Sequence, residues 1–261
     1  MMDFDYIRQN KSLLIMQKKN ILKQADAVSF GPVSVCDTTG MASKAMLTDD
    51  DKKSGIIRVK VVINTTNLMD SHDDVHVPGL WKKSLKESPL LYLLQEHKLE
   101  FEKIISDEVK AMAATMQWKD MGYKYEGDTQ ALIFDAAISK DDNEYMYNKY
   151  ANGKVYNHSV GMRYVNLFLA MNSDSRDDEQ ERKAWNKYYP IIANKEMADE
   201  KGYFFAVTEA KIIEGSAVPL GSNFATPTIS VEAGKGTPEQ QEPPTPPIVD
   251  WKKIAEHIGR K

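Results

Sequence analysis

The chain has 261 residues, 42% of them hydrophobic and 28% charged, with a formal net charge of −4, which is enough to bury one full core. Its basic residues are scattered as "QKKN", "DKKS" and "WKKS" beside acids or polar residues; a phosphate-tracking protein would present a basic stripe, so nucleic acid is not an expected partner. Cys36 is the only cysteine, which excludes an intrachain disulfide and a four-cysteine zinc site and fits a reducing compartment.

The N-terminal "MMDFDYIRQNKSLLIMQKKN" starts acidic, and its apolar run is too short for a signal peptide or a membrane span. A cytosolic protein with no membrane partner is expected. Apolar positions at Ile7, Leu13, Leu14, Met16, Ile21 and Leu22 predict a loose helix over 6–25, followed by an irregular stretch to Ser54. These first 54 residues read as an extension to a domain spanning 55–230.

"GIIRVKVVIN" opens that domain as a strand, with Ile57, Val59, Val61 and Ile63 alternating against polar neighbours. "NTTNLMDSHDDVHVPG" reads as a polar loop, and "LWKKSLKES" as a short helix stopped by Pro89. "LLYLLQEH" is apolar enough for a buried strand ending in His97; "VKAMAATMQW" and "ALIFDAAIS" are two further strands. "DDNEYMYNKYANG" has the acidic start and glycine finish of a helix. "KVYNHSVGMRYVNLFL" and "YFFAVTEAKIIEGSAV" are long strands, separated by a charged, helical insertion over 171–202. After Ser230 the text turns to Pro, Gly, Glu and Gln, an expected unfolded linker, and closes on "WKKIAEHIGRK", a short helix with Trp251, Ile254 and Ile258 on one side. Strands dominate without regular strand–helix alternation, which predicts an α+β fold, a mostly antiparallel sheet or barrel with a few flanking helices.

Ser159 and His158 are adjacent, yet strand alternation sends them to opposite faces. Ser159 shares its face with Asn157, Gly161 and Arg163, whereas His158 points with Tyr156, Val160 and Met162 and reads as a packed imidazole. A base for Ser159 must come from elsewhere. His257 belongs to the tail. His72 and His76, in "HDDVH", have the i, i+4 spacing of two metal ligands but no third ligand at a known zinc spacing. His97 stands where a rigid strand meets solvent, a mount suited to a general base and equally to a histidine without a role. Glu214 and Glu209, the acids of the last strand, lie on opposite faces, so at most one can orient an imidazole. Asp135, Glu144 and the acids near Met69 sit on patterns typical of solvated faces.

Four pieces, in order, resemble the prohead maturation serine proteases of tailed phages, which share fold and mechanism with the herpesvirus assemblins. They are "DSHDDVHVPGLW", "YLLQEHK", "HSVGM" and "KIIEGSAVPLGSN", within about 56–226. The chain differs from that family at Met162, where an aromatic is usual, at Gly221-Ser222, where Pro-Ala is usual, and in its charged insertion. The resemblance implies Ser159 as nucleophile, His97 as general base and Glu214 as the group that orients it, with Glu209 second. Gly161 is implied as the glycine paired with the nucleophile, allowing close backbone approach, with Arg163 as a second supporting residue on the same face.

It further implies a herpesvirus-protease-like barrel, no metal and no cofactor. The implied activity is a serine-type endopeptidase cleaving the major capsid protein and the scaffold protein as the procapsid matures. It would be made in the host cytoplasm and act inside the procapsid; a homo-oligomer is compatible with it. The C-terminal linker and helix would serve as a docking peptide, with removal by self-cleavage as one outcome, or fold back on the core. Two other readings stay open: a catalytically silent procapsid or scaffold-like protein, and a metal-dependent hydrolase built on His72, His76 and neighbouring acids.

Overall fold

A computed structural model describes residues 4–20 and 55–233. The expected linker from 234 on and the terminal helix, with His257, lie outside the described residues, as do 21–25 of the expected first helix and the whole irregular stretch to Ser54. The fold is mixed α+β.

Strand β1 (Ile56–Thr65) is flanked by β6 (Asp128–Ser139) and β9 (Thr228–Ala233), and β5 (Val109–Gln117) pairs the far side of β6, giving one antiparallel sheet in the order β5-β6-β1-β9. The spine of the second sheet is β8 (Tyr203–Val218). Along one edge it pairs antiparallel with β7 (Asn157–Met171) over their whole length, from Asn157↔Val218 to Met171↔Tyr203. Along its other edge lie two short parallel strands, β2 (Asp74–His76) beside Phe205 to Val207 and β3 (Leu93–Gln95) beside Gly215 to Ala217. Strand β4 (Ile104–Ser106) continues the sheet beyond β3.

The alternation in β1 is what places the core. Ile57, Val59, Val61 and Ile63 are fully buried and pack with Phe134 and Ile138 of β6 against Val160, Met162, Ala210 and Ile212 of the other sheet. At about 25 cal/mol per Å² of apolar surface removed from water, this shared layer is the main force holding the sheets together. Gly215 marks how closely they approach: a Cβ there would lie 2.6 Å from the Phe134 ring and 2.9 Å from Ile63.

Helices cover the outside. Among the described residues they are α1 (Phe4–Gln9), α2 (Lys11–Asn20), α3 (Lys82–Lys86), α4 (Glu144–Ala151), α5 (Glu179–Tyr188) and α6 (Lys195–Lys201). The side chain of Asn143, rather than an acid, caps α4 by accepting from Met146 N at 3.0 Å. The charged insertion is helical, as its composition predicts, and stacks Trp185 of α5 on Tyr189 and Phe204. It also anchors the N-terminal helices. Asp178, with no exposed surface, receives Arg8 Nε at 2.9 Å, Lys11 Nζ at 2.7 Å and Ser173 Oγ at 2.5 Å. Burial pushes that carboxyl up, but Lys11, Ser173 and Arg8 together outweigh it and bring it down to about 2.

Three expectations are corrected. The sheets are not closed into a barrel; they face one another as two layers. The polar loop before "VPG" contains β2 and is largely buried: Asp70, Asp73, Asp74 and His76 are 2%, 8%, 0% and 2% exposed. Their polar groups are satisfied locally, by the backbone N–H groups of His72 and Asp74 on Asp70, Lys201 and Tyr203 on Asp73, and Lys18 and Tyr164 on Asp74. Finally, the chain stays ordered past Ser230 because β9 uses Val231 and its neighbours to pair β1.

Candidate functional site

The site lies on the outer face of β7 and β8, the face turned away from the shared core. In the register Ser159 opposes Ser216 and Gly161 opposes Glu214. Directly opposed residues share a face, with Cβ atoms about 5 Å apart, so these four positions form one patch. Gly215, Ala217 and Val160 point the other way, into the core. The alternation expected from the sequence therefore separates Ser159 from His158.

His97 reaches the patch from the end of β3. After Gln95 the strand does not continue: Glu96 and His97 both adopt left-handed backbone, with φ of 54° and 58°. Such conformations are uncommon for residues other than glycine and persist only when surroundings hold them. Two backbone bonds do so. Glu96 N–H donates to Ala217 O at 3.0 Å, and His97 N–H donates to Ser216 Oγ at 3.1 Å. The turn lays the imidazole over β8, where its side chain is only 6% exposed.

There Nδ1 lies 2.6 Å from Glu214 Oε1. A carboxylate only accepts, so Nδ1 carries the proton and a neutral ring keeps its lone pair on Nε2. The other Glu214 oxygen, Oε2, accepts from Ser216 Oγ at 2.7 Å. Glu214 is itself fully buried. His97 Nε2 is buried too and has no hydrogen-bond partner among the described residues. A buried polar nitrogen left unpaired costs roughly 1–3 kcal/mol, so its survival in the fold calls for a role.

Gly161 leaves room for the orienting carboxylate. A Cβ on it would lie 2.0 Å from Glu214 Oε1; residue 161 is glycine because the carboxylate occupies that space. Ser159 is 6% exposed, and its hydroxyl makes no bond to Nε2. Arg163 is exposed, opposes Lys211, and is not among the groups that hold Glu214. Glu209 sits further down β8 opposite Asn166 and contacts Lys83 at 3.3 Å, away from the imidazole. Asp135 pairs with Arg58 and Glu144 with Lys140, both on the surface.

His158 is a core residue. It is fully buried, Nδ1 donates to Thr226 O at 2.9 Å, and Nε2 must then accept from Tyr150 OH at 3.0 Å. Burial pushes this imidazole down to about 4, against a smaller upward effect of the Thr226 carbonyl.

The two histidines of "HDDVH" do not converge on a metal. His76 is buried between Asn64 Nδ2 at 3.3 Å and Tyr164 OH at 3.1 Å, and Tyr164 donates on to Asp74. Asp70, His72 and Asp74 do offer ligand atoms within 4.8 Å of one another. However, the Lys18 ammonium already sits on Asp74 Oδ1, and Asp70 Oδ1 is taken by two backbone N–H groups. A divalent cation would have to displace a fixed positive charge.

One contributor escaped the sequence reading: Ser216, for which the i, i+2 spacing from Glu214 on a strand was the available signal. Asn223, which closes the fourth piece of the resemblance, is buried and ties the turn after β8 to the end of β1 by donating to Asn64 Oδ1 at 2.6 Å and to Thr65 O at 2.9 Å. Among the described residues no helix is long and apolar enough to cross a membrane. No protein-family model, curated protein or solved structure matches the chain.

Proposed function

We propose that the chain is a serine endopeptidase of the prohead-protease kind, with Ser159 as nucleophile, His97 as general base and Glu214 as the carboxylate that orients it. The observation that carries this reading is the state of His97. Its Nδ1 is bound to a buried carboxylate, and its Nε2 lone pair, on the face that carries Ser159, has no partner among the described residues.

In the reaction, Nε2 takes the Ser159 proton as Oγ attacks the scissile carbonyl carbon. The imidazolium so formed is stabilised by Glu214 and returns the proton to the leaving amine. Water then attacks the acyl-enzyme with the same base, releasing the acid and restoring the serine. General-base assistance of this type is worth about 10²- to 10⁴-fold. The absent Ser159–His97 bond is compatible with an unliganded enzyme, in which such contacts are often long and tighten only on substrate.

On this reading the substrates are the major capsid and scaffold proteins, cleaved in the procapsid interior, and the two facing sheets are an opened version of the barrel implied by the resemblance. No metal or cofactor takes part. Co-expression of the protein with its capsid and scaffold proteins tests it: wild type is expected to shorten them and Ser159→Ala to leave them intact. Equal processing by both would refute the serine mechanism. The lack of a formed Ser159–His97 bond favours one other reading, a procapsid component that keeps the scaffold of the site without the reaction, for which neither variant shortens any partner.

A further inference from the structure

Ser216 bridges two parts of the site that have no bond to one another except through the imidazole. Its Oγ donates to Glu214 Oε2 at 2.7 Å and accepts from His97 N–H at 3.1 Å, and the residue is fully buried. The first bond uses the hydroxyl proton to fix the carboxylate rotation that aims Oε1 at Nδ1. The second uses a hydroxyl lone pair to hold the left-handed backbone of His97. One oxygen therefore sets the carboxylate and the ring from both sides, directly across the strand pair from Ser159.

We infer that Ser216 is a positioning residue of the site: it holds Glu214 and the His97 backbone so that the imidazole keeps its proton on Nδ1 and presents Nε2 toward Ser159. This rests on the serine-peptidase reading for its catalytic consequence, but not for its structural one. Apart from the imidazole itself, Ser216 is the one described side chain bonded to Glu214, and the one bonded to the His97 backbone N–H, so no described side chain replaces the hydroxyl when it is removed. A hydroxyl bonded to an ionised carboxylate is among the stronger hydrogen bonds in proteins, and its loss corresponds to a fall of roughly 10- to 100-fold in kcat.

The test compares wild type, Ser216→Ala and Ser216→Thr. The first reading is the ¹⁵N-edited NMR spectrum of the imidazoles, with His97→Gln used to assign the Nδ1–H resonance of His97. It requires no turnover. In Ser216→Ala the downfield Nδ1–H signal is expected to move upfield and exchange faster with solvent, while the His158 signal stays in place; Ser216→Thr, which keeps the hydroxyl, restores it. The second reading is steady-state cleavage, where Ser216→Ala is expected to lower kcat roughly 10- to 100-fold with little change in KM. An unchanged His97 resonance in Ser216→Ala would overturn the inference, as would a loss confined to KM. If the resonance responds as expected but Ser159 shows no reactivity in any variant, the peptidase reading fails while the positioning role stands. Removing one oxygen adds no bulk to the sheet, and the thermal melt of Ser216→Ala verifies that the fold is retained.

Discussion

The Glu214 carboxylate lies where the side chain of residue 161 would begin: Oε1 would be 2.0 Å from a Cβ built on Gly161. Gly161 and Glu214 are also cross-strand partners in β7 and β8, so neither can move without opening the pair. The carboxylate is fully buried. Gly161→Ala is therefore expected to push Glu214 off the imidazole and lower kcat/KM by about 10²-fold or more, the scale of losing an oriented base. Near-native circular dichroism with collapsed activity is the predicted combination; activity within a factor of about three of wild type would mean that the carboxylate has room to shift.

Glu214→Gln keeps size while removing charge, and its amide nitrogen can donate to the imidazole. That favours the wrong tautomer, with Nδ1 accepting and Nε2 protonated. A loss of roughly 10³- to 10⁴-fold in kcat is expected, whereas Glu209→Gln, on a surface contact with Lys83, is expected to leave kcat unchanged. The comparison separates the two acids that spacing alone left as alternatives.

His158 predicts a stability that depends on pH without any role in catalysis. Its folded value is about 4 against an ordinary 6.5, so between those values the unfolded chain binds more protons. Its contribution is complete above pH 6.5 and declines as pH falls toward 4, by about 3 kcal/mol in all. Urea unfolding at pH 7.5, 5.5 and 4.5 tests this. The pH slope of wild type is expected to exceed that of His158→Gln across this window, and parallel slopes would remove His158 as the cause.

Much of this architecture is legible in the sequence, and the failures have physical causes. The alternation of Ile57, Val59, Val61 and Ile63 marks a strand with one face in the core, and the same alternation separates Ser159 from His158. The helices between β7 and β8 fall in the charged segment read as helical. Strand β2 does not: three residues, Asp74–His76, are held by parallel pairing to β8 and by Lys18, Tyr164 and Asn64, all distant in sequence. Acidic residues usually mark solvent, and only tertiary partners show that these are inside. His97 is readable as a strand-end residue, but its left-handed backbone is not, because two hydrogen bonds to β8 impose it. Closure into a barrel comes with the resemblance; the strand pattern fits a sheet or a barrel alike, because it does not determine which edges meet.

The N-terminal helices are fastened by Ile7 and Leu14 in the core and by charge, through Asp178 to Arg8 and Lys11. Asp178→Asn is expected to raise hydrogen exchange in residues 4–20 by at least about an order of magnitude, with β1 and β6 unaffected, because their protection comes from the shared core. Exchange that rises equally throughout the chain would show that Asp178 supports the whole fold.

The cation cluster of Asp70, His72 and Asp74 gives a further expectation. Since Lys18 occupies Asp74, chelator treatment and His72→Ala should each leave cleavage and thermal stability unchanged. A chelator-dependent loss that zinc or calcium restores would bring back the metal-dependent reading.

The central claim, that His97 activates Ser159, is tested most directly by phosphonylation with a fluorophosphonate followed by peptide mass spectrometry. Wild type is expected to carry one adduct, on the peptide containing Ser159. Ser159→Ala should carry none, and His97→Ala should react at least about 10²-fold more slowly. An adduct on Ser216 instead, no adduct on the folded wild type, or a rate indifferent to His97 would contradict the account.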